Sequence, residues 1–202
     1  MTDGIYPPHD VGNPERRAML IATSMAGGAA AAIALWPFVS SLAPSDRALA
    51  QGAPVEVDIS DLAPGSMKTV EWRGKPVWIL RRTPEMLVSL KGTEPRLADP
   101  ESRLDALPED LRNIGRSRVP EVLVVIGICT HLGCAPNLVP SGTANASVGD
   151  DWPGGFFCPC HGSTFDLAGR VFKDKPAPTN LVVPPHRYLS ETRILVGESD
   201  AA

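Results

Sequence analysis

The segment Val122-Leu123-Val124-Val125-Ile126-Gly127-Ile128-Cys129-Thr130-His131-Leu132-Gly133-Cys134 joins an unbroken apolar run to a box of cysteine and histidine. Five consecutive aliphatic residues, mostly β-branched, read as a buried central strand. That strand delivers the chain to Cys129. All four cysteines lie between Cys129 and Cys160, together with His131 and His161, two of the four histidines. The second box is Cys158-Pro159-Cys160-His161-Gly162-Ser163. Each box offers a thiol and an imidazole so close in sequence that one tight loop can aim both at a single metal site.

The rest of the composition suits an all-β body around these boxes. Among 202 residues there are 21 Pro and 18 Gly against 2 Tyr and 5 Phe, a turn-rich mixture that argues against a helical bundle. With 43% apolar residues the chain is too hydrophobic to be disordered. Its net charge of −4 comes without a basic run, so nucleic acid is not an expected partner. Strand-like runs occur at Val55 to Ile59, Lys68 to Trp72 and Pro76 to Arg81, the last two joined through Arg73-Gly74-Lys75 as a hairpin. Thr83-Pro84-Glu85 combines an N-cap, a first-position proline and a first-turn acid, which predicts a short helix over Pro84 to Leu90. The charged, turn-rich stretch from Lys91 to Val119 reads as a solvated excursion, and Asn137 to Asp151 as loop.

The N-terminal part is of another kind. From Ala18 to Ser45 no residue carries a formal charge. Ala18 to Trp36 as a helix rises about 28 Å, close to the ~30 Å of a bilayer's hydrocarbon core. Trp36 then sits at the interface and Pro37 is a plausible stop. Gly27, Gly28 and Ala29 to Ala32 offer a smooth face for a neighbouring membrane helix. Arg16-Arg17 before this segment is similar to a twin-arginine export signal, and it holds the N-terminus in the cytoplasm. The expected layout is a cytoplasmic N-terminus at 1–17, a single-pass anchor at 18–43, a flexible linker at 44–54 and a periplasmic head at 55–202. A leader cleaved near Ala48-Leu49-Ala50 is the alternative to an uncleaved anchor.

Six potential ligands exceed the four that zinc takes, and a zinc reading leaves two thiols idle in an exported chain. A disulfide between two spare cysteines resolves that arithmetic.

The two boxes resemble those of Rieske iron–sulfur proteins, in particular the membrane-anchored subunit of cytochrome bc1 complexes. The similarity extends to Arg82-Thr83-Pro84-Glu85-Met86, Leu97-Ala98-Asp99-Pro100 and Pro176-Ala177-Pro178, and so covers most of the chain. It implies an all-β, antiparallel β-sandwich head with a small cluster-binding subdomain at about 129–178. It implies one [2Fe–2S] cluster per chain, with Cys129 and Cys158 on one iron and His131 and His161 on the other. Cys134 and Cys160 would form the disulfide. By the same resemblance His161 hydrogen-bonds ubiquinol, and His131 is the other exposed imidazole. Leu132 covers the cluster, and Ser163 donates its hydroxyl to a bridging sulfide. The implied role is to take one electron, with a proton on a ligand histidine, from ubiquinol at cytochrome b. The electron then passes to cytochrome c1, within a homodimeric complex of the bacterial inner membrane that translocates protons.

The physical reason for such a ligand set is charge. Two ferric ions, two sulfides and two thiolates sum to zero, whereas four thiolates leave a negative cluster that resists an electron. The potential rises to ~−150 to +300 mV, against ~−400 mV for all-cysteine plant-type clusters. Two positions depart from the family pattern. Phe165 stands where many members have a tyrosine that donates to a cluster cysteine, and Lys175 stands where glycine is common. A Rieske oxygenase component generally lacks Cys134 and Cys160 and the anchor. The small Rieske subunit of another periplasmic oxidase, such as arsenite oxidase, is the remaining alternative.

Overall fold

The computed structural model describes residues 13–143 and 147–199. The chain forms two compact units, Met1–Leu49 and Ala50–Ala202.

In the first unit, helix α1 runs from Pro14 to Ser40. Asn13 caps it: its side-chain oxygen accepts the backbone N–H groups of Glu15 and Arg16 at 3.0 and 3.2 Å. Its 27 residues span about 40 Å. The helix is long and apolar enough to cross a membrane. None of its residues is buried among the described residues. Pro37 does not stop it. Proline lacks the N–H that would bond the preceding turn and crowds the carbonyl four residues back, yet the helix runs on to Ser40. The terminus comes at Ser41, whose N–H reaches the Pro37 carbonyl at 3.0 Å, while the Ser41 hydroxyl bonds back to Phe38 O at 2.7 Å. A short helix α2, Asp46–Gly52, occupies most of the expected linker. Ser45 caps it by accepting from Ala48 N at 3.2 Å.

The head contains three three-stranded antiparallel sheets. Strands β1 (Val55–Asp58), β8 (His186–Ser190) and β9 (Arg193–Val196) form the first, in the order β1-β9-β8. Strands β2 (Met67–Trp72), β3 (Lys75–Arg81) and β4 (Val122–Ile126) form the second. Strands β5 (Asn137–Val139), β6 (Gly155–Phe157) and β7 (Thr164–Phe165) form the third. The β2–β3 hairpin closes through Arg73 and Gly74, both at positive φ, the pair of left-handed residues that suits the twist of the flanking strands. Helix α3 runs from Pro84 to Thr93, three residues beyond expectation, and Thr83 caps it by accepting from Met86 N at 3.3 Å.

Strand β4 is fully buried, but it is an end strand and not a central one. Its continuous apolar run has another cause. Leu123 and Val125 face one core with Trp78 and Leu80 of β3, Phe156 and Phe165. Val122 and Val124 face a second core with Val77 and Ile79 of β3, Val57 of β1, and Ile194 and Val196 of β9. The middle sheet is therefore apolar on both faces. Beyond β4, Ile126 N donates to Val182 O at 2.7 Å, which covers the last residue of that edge.

The stretch from Lys91 to Val119 is not the solvated excursion expected. It buries Leu97, Leu107 and Leu111 together with Asp99, Ser102, Arg116 and Ser117. Its buried charges find partners inside and outside the stretch: Arg116 pairs with Asp105 at 2.6 Å and bonds the distant Leu181 O at 2.8 Å.

Candidate metal centre

Two loops of one design carry the boxes. In the first, Cys129 N donates to Cys134 O at 2.7 Å and Gly133 N donates back to Cys129 O at 3.0 Å. In the second, Cys158 N donates to Ser163 O at 2.8 Å and Gly162 N to Cys158 O at 3.0 Å. Each loop thus returns on its own first cysteine after five residues. Closure this tight needs a left-handed residue at the fifth position, supplied by Gly133 (φ 85°) and Gly162 (φ 77°). Strand β4 holds the first loop, and β6 and β7 flank the second.

The structure joins the loops covalently through Cys134–Cys160, with a Cα–Cα distance of 6.6 Å. Cys129 and Cys158 stay free and buried, in the same apolar core as Phe156, Phe165, Leu167 and Ala177. Burial pushes the Cys129 thiol up, as does the adjoining Cys158 thiol, while hydrogen bonding from the His131 backbone and from the Ser163 side chain opposes this. The Cys158 sulfur also lies within 4.8 Å of both disulfide sulfurs. Those two are bonded to each other and cannot act as thiolate ligands, so that grouping of three is not a zinc site.

The imidazoles of His131 and His161 meet edge to face, with ring centroids 4.8 Å apart. His161 is exposed and His131 half-buried. The His131 Nδ1 is buried with no hydrogen-bond partner. A buried ring nitrogen left alone is costly unless something absent from the chain engages it, as a metal ion would. Two buried free thiols, two adjoining imidazoles and one orphaned nitrogen fit a two-iron cluster with mixed ligands. This donor set supplies two soft thiolates and two neutral nitrogens.

Leu132, at the tip of the first loop, is 71% exposed. Ser163 is fully buried, and its oxygen accepts Ala177 N at 3.0 Å. That contact uses the oxygen only as an acceptor, while the hydroxyl itself hydrogen-bonds the Cys129 thiol. The Ala177 contact also draws in the Pro176-Ala177-Pro178 loop, which is held from the other side by Thr130 Oγ1 donating to Thr179 O at 2.7 Å. Lys175 causes no backbone difficulty, because the positive φ of this loop falls on Asp174 (57°). Glycine stands at position 127 because a Cβ there would strike the Trp78 indole, which stacks on Phe156. The sequence reading assigned no structural role to Arg82, Arg116, Arg170 and Asp166, all of which are buried. The arginine pair Arg81-Arg82 after the apolar run of β3 was one available signal.

Fold and site together define a Rieske-type iron–sulfur domain behind an N-terminal apolar helix. The family model described as the Rieske [2Fe-2S] domain matches residues 53–185, and that for the ubiquinol-cytochrome c reductase Fe-S subunit TAT signal matches residues 7–45. The chain is 55% identical to the ubiquinol-cytochrome c reductase iron-sulfur subunit of Allochromatium vinosum, over 93% of this chain and 90% of that one. It is 42% identical to the subunit of the same name from Bradyrhizobium diazoefficiens, over 92% and 96%. The chain belongs to the family of ubiquinol-cytochrome c reductase iron-sulfur subunits. With the domain comes its [2Fe–2S] cluster.

Proposed function

We propose that this chain is the mobile electron carrier of a quinol:cytochrome c oxidoreductase, with Cys129 and Cys158 on one iron and His131 and His161 on the other. The observation that carries the ligand assignment is the orphaned His131 Nδ1 beside the His161 ring, together with two buried free thiols. When bound, the cluster supplies a one-electron acceptor whose neutral oxidised state gives it a high potential.

The chain's own residues do the rest. His161, exposed at the tip, is the group that meets ubiquinol and accepts its hydrogen bond, and the proton goes to a ligand histidine. Leu132 gives the tip an apolar surface that excludes water when the head docks on cytochrome b. The disulfide fixes both loops, so that docking and release do not reshape the ligand set. The electron is delivered to cytochrome c1 after the head turns on the segment between helix and head. The anchor crosses the bacterial inner membrane once, with Arg16 and Arg17 on the cytoplasmic side and the head in the periplasm. The whole complex is a homodimer that couples this transfer to proton translocation.

The test is EPR of reduced membranes containing the protein, with and without an inhibitor that occupies the quinol-oxidation site. A Rieske-type signal that changes with inhibitor is the expected result. A signal indifferent to inhibitor favours another periplasmic oxidase as the partner, and bound metal without the signal overturns the ligand set.

Phe165 gives a second expectation. Fully buried in the core around both thiols, it has no hydroxyl to donate to a cysteine sulfur. Phe165→Tyr therefore raises the midpoint potential. One hydrogen bond of about 1 kcal/mol corresponds to about 40 mV for one electron. Redox titration checks it, and an unchanged midpoint refutes it.

A further inference from the structure

We propose that the Arg82 guanidinium acts as a fixed buried cation that raises the electron affinity of the metal centre. This deepens the reading above and rests on it.

Three arginines, Arg82, Arg116 and Arg170, are the largest fully buried side chains in the head. Two have their charge matched. Arg170 pairs with Asp166 at 2.8 Å and Arg116 with Asp105 at 2.6 Å. Arg82 differs, because every group it bonds is neutral. Its Nε donates to Pro120 O at 2.9 Å, and its Nη1 to Gly115 O at 2.9 Å and Leu167 O at 3.1 Å. Its Nη2 donates to Ser117 Oγ at 2.6 Å. Among the described residues no carboxylate forms an ion pair with it. Burial lowers its pKa to about 10, so it stays protonated at neutral pH.

Asp166 and Glu121 attract this charge, but neither forms an ion pair with it, and Asp166 is already paired with Arg170. Leu167 accepts from Arg82 through its carbonyl and packs its side chain into the core that holds Cys129 and Cys158. One residue therefore separates the cation from the apolar medium around both thiols. In such a medium charge interactions are weakly screened. The oxidised centre, with two thiolates, is neutral, and the electron that the quinol supplies makes it negative. A fixed positive charge nearby favours the negative state, while the two matched arginines contribute little net field.

The experiment is an EPR-monitored redox titration of the full chain in its membrane complex. Arg82→Gln removes the charge, and Arg82→Lys keeps it with fewer hydrogen bonds. Ser117→Asp sets a carboxylate against an intact guanidinium, and Ser117→Asn is its neutral control. Arg82→Gln and Ser117→Asp are expected to lower the reduction equilibrium constant roughly tenfold, a midpoint drop of about 59 mV for one electron. Arg82→Lys and Ser117→Asn stay within about threefold of the unmodified chain, and the line shape is unchanged. Equal shifts in Arg82→Gln and Arg82→Lys, or an unmoved midpoint in Ser117→Asp, overturn the inference. If Arg82→Gln does not fold, the Asp and Asn pair at 117 decides alone. A missing Rieske signal in the unmodified chain overturns the centre and this inference together, whereas a normal signal with unmoved midpoints overturns the inference only.

Discussion

Replacing Cys158 with alanine abolishes the Rieske EPR signal of the assembled protein and reduces its iron and acid-labile sulfide to background. Cys129→Ala does the same. Both thiols are buried and free, and each stands at the closing hydrogen bond of its loop. Removing one leaves an iron short of a ligand in an apolar core with no second donor to take its place. The obvious substitutes, Cys134 and Cys160, are consumed by their mutual bond. Near-complete loss is therefore expected, beyond the tenfold to hundredfold changes that follow when only outer hydrogen bonds are altered. The head itself should persist, because its second core, built on Val57, Val77, Val124 and Ile194, does not touch the boxes. The check is iron and sulfide analysis alongside circular dichroism. A folded Cys158→Ala chain that keeps iron and sulfide in equal amounts would sink the ligand assignment.

The double variant Cys134→Ala/Cys160→Ala should show the second-largest effect, on stability. The bridge closes a separation of 26 residues, for which chain entropy gives about 3.5 kcal/mol at 25 °C. Most of that closed segment is loop. Among its described residues only the short β5 and β6 are strands, so little other structure compensates. Thermal melting followed through the visible circular dichroism of the cluster should show cluster loss well before the far-ultraviolet transition of the sheets. Alanine is the right replacement, since a single remaining thiol within 4.8 Å of the Cys158 sulfur could compete for iron. Coincident transitions at the unmodified temperature would show that the bridge does not hold the tip together.

What could be read from the sequence was local. The Thr83 cap, the Arg73-Gly74 hairpin and the return of each box on its first cysteine involve partners at most five residues apart. The residue types at those positions therefore specify the geometry. The apolar run 122–126 was legible as buried, yet its place at the end of a sheet was not. A strand between two cores shows the same pattern whether or not it is central. The buried arginines were invisible for a related reason. Arg82 is held by carbonyls at 115, 120 and 167, and nothing near residue 82 announces them.

The amino-acid order alone thus determined which ligand types exist, their spacing within each loop, and the apolar length of the N-terminal helix. Only the tertiary structure brought the two loops together, bonded Cys134 to Cys160, left the His131 Nδ1 without a partner and buried the Arg82 cation against carbonyls at 115, 120 and 167. Short-range geometry is set by the torsional preferences of a few neighbouring residues. Long-range meetings are set by how two cores pack on the faces of the middle sheet, and a packing of side chains distant in sequence leaves no periodic trace in the chain.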